Sequence, residues 1–306
     1  MRASSNRLAA TPEADVLDTL RVLARGASVE LSPRQLRSTG SPGDHLPQGA
    51  QVYIPFVPGA KWSDTVAACR RLRTDGLSPV PHLPARWLAS AEQLDDWLAE
   101  LAGAGVRELL LVAGDRRRAA GPYRDTLDVL ESGKLAARGF HRIGVTGYPE
   151  EHPFVGARDL DAALTRKLEY ARATDTEMWI TTQFTFAARH AIALLEAMRD
   201  RECPVPVHIG LPGPARLRTL LAFAARCGVT TSARALTRRP GVVRLLGRWT
   251  PDTLVRELAE YRNAPDSAGL AGIHVFTFGG LPATARWLRG LQGSATDPSR
   301  ARPPRG

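Results

Sequence analysis

Eight short apolar runs recur along the chain, and most are followed by a segment whose apolar residues return at helical spacing. The runs are 28–31, 51–54, 79–82, 108–112, 142–146, 178–182, 205–210 and 272–276. Each has the length of a buried strand and lacks the strict alternation of a half-exposed one. The helical segments are 62–74, 91–103, 160–173, 187–199, 215–227 and 250–263. Trp62, Val66, Cys69 and Leu72 form the apolar stripe of the first, and Leu94, Trp97, Leu98 and Leu101 that of the second. Ser63 and Asp64 suit the start of the first helix, and Thr250-Pro251 reads as a cap followed by proline at the first helical position.

Strands alternating with helices over one domain's length predict an α/β fold, a (β/α)8 TIM barrel spanning 13–292. Residues 1–12 read as a disordered lead and 293–306 as a disordered basic tail, polar and proline-rich, with no regulatory domain beyond it. An open doubly wound sheet is the alternative, but no G-x-G-x-x-G follows the first strand. No internal repeat of fixed period is present.

Composition narrows the class further. The formal charge is +10, yet only three of 41 basic residues are lysines, Lys61, Lys134 and Lys167. The arginines are scattered apart from Arg116–Arg118 and the tail, and aromatics do not interleave with them, so no nucleic-acid partner is expected. A positive field favours anionic ligands. No apolar run is long enough for a membrane span, and no secretory leader is visible. Cys69, Cys203 and Cys227 fit neither a zinc spacing nor a disulfide framework, which predicts a reducing, cytoplasmic setting.

In a barrel, the C-terminal strand ends carry the chemistry. Here they hold Glu30, His82, Asp115, Tyr148 with His152, Gln183 and Thr277. The fifth run ends in Gly-Tyr-Pro-Glu-Glu-His-Pro, residues 147–153, which delivers a ring, two carboxylates and an imidazole to one loop. Each residue also has a plainer reading. Glu30 can be a solvated cap or ion-pair partner, Asp115 part of a turn, Gln183 a solvated amide and Lys167 a helix-surface charge. Tyr123 can be a loop anchor, and Arg116–Arg118 a solvated run. Trp62, Trp97 and Trp287 read as core or interface. Gly210-Leu211-Pro212-Gly213-Pro214 reads as a tight turn or as amides facing a ligand. His208 and His274 alternate with apolar neighbours and read as satisfied interior groups. No histidine spacing suggests a metal site.

Taken in order, these strand ends resemble the methylenetetrahydrofolate reductase family. The resemblance rests on Ser28-Val29-Glu30, Pro81-His82-Leu83, Ala113-Gly114-Asp115, the Tyr-Pro-Glu-x-His-Pro loop, Arg166-Lys167, Thr182-Gln183-Phe184 and Ile273–Thr277. It implies a flavoprotein oxidoreductase of one-carbon metabolism and methionine biosynthesis, using FAD and NAD(P)H to reduce 5,10-methylenetetrahydrofolate to 5-methyltetrahydrofolate. Glu30 would be the proton donor and Asp115 its catalytic partner. His82, Gly114, Asp115, Tyr123, Tyr148, His152, Arg166 and Lys167 would hold the cofactor. Gln183, Asp115 and Thr277 would bind the folate.

The chain departs from the family pattern at four places. Ala113 replaces an arginine, Ala163 an asparagine, and Gly280 falls where an arginine often stands. The second-strand end, Ile54-Pro55-Phe56-Val57-Pro58-Gly59, lacks the usual hydroxyl-bearing residues. Two alternatives therefore stand beside the main reading. One is a divergent member in one-carbon catabolism, running oxidatively or passing hydride without flavin. The other is a non-catalytic folate-binding subunit. Self-association through apolar helix faces stays open.

Overall fold

In the computed structural model, which describes residues 12–150, 152, 154–174, 176–199, 205–229, 231–233, 247–265, 267 and 269–293, the eight predicted strands close into a parallel barrel. They are β1 (Ser28–Glu30), β2 (Gln51–Ile54), β3 (Ser78–Pro84), β4 (Glu108–Val112), β5 (Arg142–Gly147), β6 (Glu177–Phe184), β7 (Val207–Pro212) and, after a short ribbon, β10 (Leu270–Phe276). Closure comes where β1 pairs with β10, in the register Ser28 to His274 and Glu30 to Phe276. The terminal segments 1–11 and 294–306, and with them the predicted lead and nearly all of the tail, lie outside the described residues, as do Glu151, Pro153 and Cys203.

The inner and outer faces of the strands can be told apart from their packing. Val29, Val52, Ile54, Leu109, Leu111, Ile143 and Val145 belong to the main core between the strands and the surrounding helices. Tyr53, Val80, Leu110 and Trp179 form a separate buried cluster inside the barrel. Parallel strands buried on both faces explain why the runs read as continuously apolar rather than alternating. Gly144 makes room for this filling: a methyl group there would sit 2.7 Å from the Trp179 ring and 2.8 Å from Leu110.

The helices pack around the outside. The six predicted ones are found at Trp62–Thr74, Ala91–Gly103, Ala157–Thr174, Ala188–Arg199, Leu217–Cys227 and Asp252–Arg262. Several sequence expectations shift. Helix Trp62–Thr74 is preceded by Lys61 with no side-chain cap, so neither Ser63 nor Asp64 caps it. Helix Asp252–Arg262 follows Pro251 rather than starting on it, and the Thr250 hydroxyl bonds the Asp252 carboxylate instead of a backbone amide. Residues 215 and 216 are not helical, because Ala215–Arg216 (β8) pairs antiparallel with Arg248–Trp249 (β9). Helix Glu13–Arg25 and the closing helix Leu281–Gly293 are additions to the sequence reading; the two pack on each other. No described helix is long and apolar enough to cross a membrane.

Candidate active site

Glu30 is the last residue of β1, and its carboxyl turns inward at the barrel mouth. Its Oε2 lies 3.7 Å from His82 Nε2 and 4.0 Å from His274 Nε2. The side chain keeps only 18% of its exposure. Loss of water disfavours the charged form, and burial pushes the Glu30 carboxyl up to about 8. The two imidazoles respond oppositely. Burial lowers His82 to about 4 and takes His274 well below the usual histidine range, with His82 and His208 adding to the latter effect. Near neutral pH the three groups therefore carry a proton on the acid and no charge on the bases.

The barrel interior below the acid is polar. His274 Nδ1 pairs with Ser28 Oγ at 2.9 Å, and the Tyr53 ring lies 4.4 Å from the His274 ring. The Tyr53 hydroxyl accepts from Trp179 Nε1 at 2.9 Å and shares a proton with Thr181 Oγ1 at 3.1 Å. His208 Nδ1 has no hydrogen-bond partner, and its ring is pushed toward neutrality by burial.

Tyr148, Pro149, Glu150, Gln183, Phe184, Cys227 and Val229 line a small cavity of about 10 Å³ at the exits of β5 and β6. Burial, and after it the Glu30 charge, raise the Cys227 thiol, which ties the acid to this pocket. Gln183 accepts a 3.0 Å hydrogen bond from the Phe184 amide through Oε1. Thr277 is 3% exposed and donates to the Glu30 carbonyl at 2.6 Å, while Gln35 Nε2 reaches its carbonyl and hydroxyl at 3.3 Å. Thr277 thus fastens the acid's strand rather than opening to the mouth.

Next to β5, the exits of β3 and β4 are laced together. Arg86 donates from its amide to the Ala113 carbonyl at 3.0 Å, and its carbonyl accepts from Ala120 at 2.9 Å. Its guanidinium reaches the carbonyls of Arg124 at 2.7 Å and Arg116 at 3.3 Å. Trp87 Nε1 donates to Asp115 Oδ1 at 3.0 Å, and Arg116 lies over the indole at 4.8 Å. Phe56 packs on Trp87 at 5.1 Å, and Trp62 stacks parallel on Trp97 at 3.9 Å beside it. Gly114 adopts a positive φ of 87°, and a methyl there would meet Trp87 at 3.1 Å. Asp115 therefore stands at an exposed rim, held by an indole N–H.

The remaining predicted residues fall around this frame. Tyr148 and His152 meet edge to face at 4.6 Å. Burial raises the Tyr148 hydroxyl and lowers the His152 ring, and both feel the nearby Arg86 charge as a smaller downward pull. His152 Nδ1 accepts from the Phe154 amide at 3.1 Å, which places its ring proton on Nε2. The Phe154 ring itself is 86% exposed. Lys167 is lowered by burial against the opposing pull of Asp125. Arg166 pairs with Glu131 at 2.9 Å on the outer surface. Tyr123 is 5% exposed and belongs to the core, with burial and then Glu92 and Asp95 raising its hydroxyl.

Glu150, in sequence only one of two loop carboxylates, is a clamp. Its Oε1 accepts from Thr185 Oγ1 at 2.8 Å and from the Ser232 hydroxyl, and Oε2 accepts from the Ser232 amide at 3.1 Å. Arg86 escapes sequence reasoning because a lone arginine after a strand carries no motif. Among the described residues no three His, Cys, Asp or Glu side chains are grouped to hold a metal ion.

No family model matches the sequence. Among solved structures the chain is similar to dihydropteroate synthase from Thermus thermophilus, at 15% identity and a TM-score of 0.44, covering 86% of this chain and 91% of that one. A likeness of that extent assigns no chemistry to this chain.

Proposed function

We propose that the protein reduces 5,10-methylenetetrahydrofolate to 5-methyltetrahydrofolate, with NAD(P)H as the electron donor and Glu30 as the acid. The observation that carries the reading is Glu30 itself, a buried carboxyl at a barrel mouth that holds its proton to about pH 8. Opening the folate's imidazolidine ring needs a proton on N10, and a neutral acid inside a pocket supplies one at physiological pH. The cation left at N5 is offset by a fixed carboxylate, the role assigned to Asp115. Gln183 Nε2 faces a pterin as donor, while its Oε1 is engaged by the Phe184 amide. Hydride transfer to the methylene carbon then completes the methyl group and leaves Glu30 as a carboxylate.

Several residues that the resemblance assigns to a flavin have other partners. His82, assigned to it by family resemblance, is turned to Glu30 inside the barrel. Asp115 is bonded to Trp87, Arg166 to Glu131, and the Arg86 guanidinium to two loop carbonyls. Trp87 and Pro84 fill the space beside Gly114, and Phe56 packs on the Trp87 ring. This engagement favours the second reading, in which hydride passes from the nicotinamide to the folate directly.

The test follows the label from 4,4-dideuterated NADH through turnover, in protein freed of flavin and in the same protein with FAD added back. Deuterium retained in the product's methyl group supports direct transfer. Label lost to water points to an exchangeable carrier and returns the flavin reading. Absence of methyltetrahydrofolate under either cofactor condition would reject the assignment of the reaction.

A further inference from the structure

His82 Nε2 is buried and has no hydrogen-bond partner, and the nearest ionisable oxygen is Glu30 Oε2 at 3.7 Å. A buried polar atom left alone is uncommon enough to need a reason. His274 Nε2 approaches the same oxygen, at 4.0 Å. His274 Nδ1 is paired with Ser28 Oγ at 2.9 Å; in the tautomer in which the serine hydroxyl donates, the ring proton sits on Nε2, the nitrogen nearer Glu30. Both imidazoles lie nearest to the same oxygen, Oε2. Both separations are beyond hydrogen-bond distance, and catalytic contacts of this kind shorten as the reaction proceeds.

We propose that His82, backed by His274 and Ser28, is a positioning residue for Glu30. Its Nε2–H, with that of His274, is held toward Oε2, so the acid's hydroxyl is carried on Oε1 and faces the substrate. When Oε1 gives its proton to substrate nitrogen, the O–H bond breaks and the new carboxylate forms inside a dry pocket. The two N–H groups close on Oε2 and stabilise that charge as it develops. Neither ring changes its protonation state. Tyr53, His208 and Cys227 are further titratable groups near this cluster, Tyr53 and His208 beside His274 and Cys227 within reach of the Glu30 charge.

The proposal rests on Glu30 being the acid, but its test reads the titration of Glu30 without turnover. Stability to urea is measured against pH for the protein and for Glu30→Gln, and the difference curve gives the midpoint of Glu30. The pair is repeated in a His82→Phe background, which keeps a ring and removes the donor. Losing a donor to the carboxylate moves the midpoint upward by about one pH unit, a tenfold change in the acid's equilibrium. His82→Gln, whose amide again donates, restores it. Where His82→Phe fails to fold, Ser28→Ala frees the His274 tautomer and gives a smaller upward shift. A midpoint unchanged or lowered by the Phe and Ala variants overturns the proposal, as does failure of Gln to restore it. If turnover is assayed as well, kcat falls in His82→Phe while folate affinity is kept. A shifted midpoint without any folate turnover sinks the reaction assigned above and leaves the His82–Glu30 pairing standing.

Discussion

Thr277 Oγ1 donates a 2.6 Å hydrogen bond to the backbone carbonyl of Glu30, so the strand that closes the barrel fastens the first strand at the residue bearing the buried acid. Gln35 holds Thr277 in turn, from a short helix capped by Ser32. The acid is therefore placed by a chain of contacts from both ends of the sequence.

Replacing Thr277 with Val keeps the shape and removes that bond. The buried Glu30 carbonyl loses its hydroxyl partner, at a cost of about 1–3 kcal/mol. Urea denaturation should show a lower midpoint with unchanged slope, and kcat should fall further than stability alone explains. A variant with native stability and native kcat would show that the bond positions nothing.

The acid also sets a pH dependence of stability. Its folded pKa, about 8, lies above the usual carboxylate value of 4.5. Its contribution is complete below pH 4.5 and is lost as pH rises toward 8. Glu30→Gln does not titrate, so the variant should match the native protein near pH 4.5 and exceed it at pH 8, by up to roughly 4 kcal/mol. His82 runs the other way. Its folded pKa of about 4 means that stability falls as pH drops from 6.5 to 4, in both proteins alike. Parallel stability curves would contradict a buried acid.

Gly144 is the position at which the barrel interior tolerates least. A methyl group would press on Trp179 and Leu110, whose neighbours are Tyr53 and Val80. Gly144→Ala should cost about 1–3 kcal/mol and alter the near-ultraviolet signal of the buried tryptophan. An unchanged melting temperature would mean that the interior repacks freely.

Glu150 ties the fifth-strand loop to Thr185 and to Ser232. Glu150→Ala takes an acceptor from two buried hydroxyls, those of Thr185 and Ser232, and from the Ser232 amide. Amide hydrogen exchange at Ser232 and Phe186 should speed up by about tenfold or more, corresponding to about 1.4 kcal/mol or more of local opening. Equal protection in both proteins would remove the clamp.

The barrel is legible in the sequence because its signal is local: each strand is a short apolar run, and each helix shows a stripe. Helix Glu13–Arg25 escapes since its start lacks a side-chain cap and follows a proline. The ribbon of Ala215–Arg216 with Arg248–Trp249 escapes because two-residue pairing leaves no periodicity. Residue types at the strand ends point to Glu30, yet nothing in the spacing tells that His82 and His274 both come within about 4 Å of one of its oxygens. That meeting depends on closure of β1 on β10 and on inward facing two residues deep. Arg86 and Glu150 are hidden for a related reason, since each serves loops distant in sequence.

The most direct test of the account is the pH profile of methylenetetrahydrofolate reduction by NAD(P)H, compared between the protein and Glu30→Gln. The account predicts a rate that is flat toward neutrality and falls above about pH 8 as Glu30 loses its proton, and a Gln variant slower by about 100-fold or more with no such limb. A Gln variant that turns over at the native rate would contradict it.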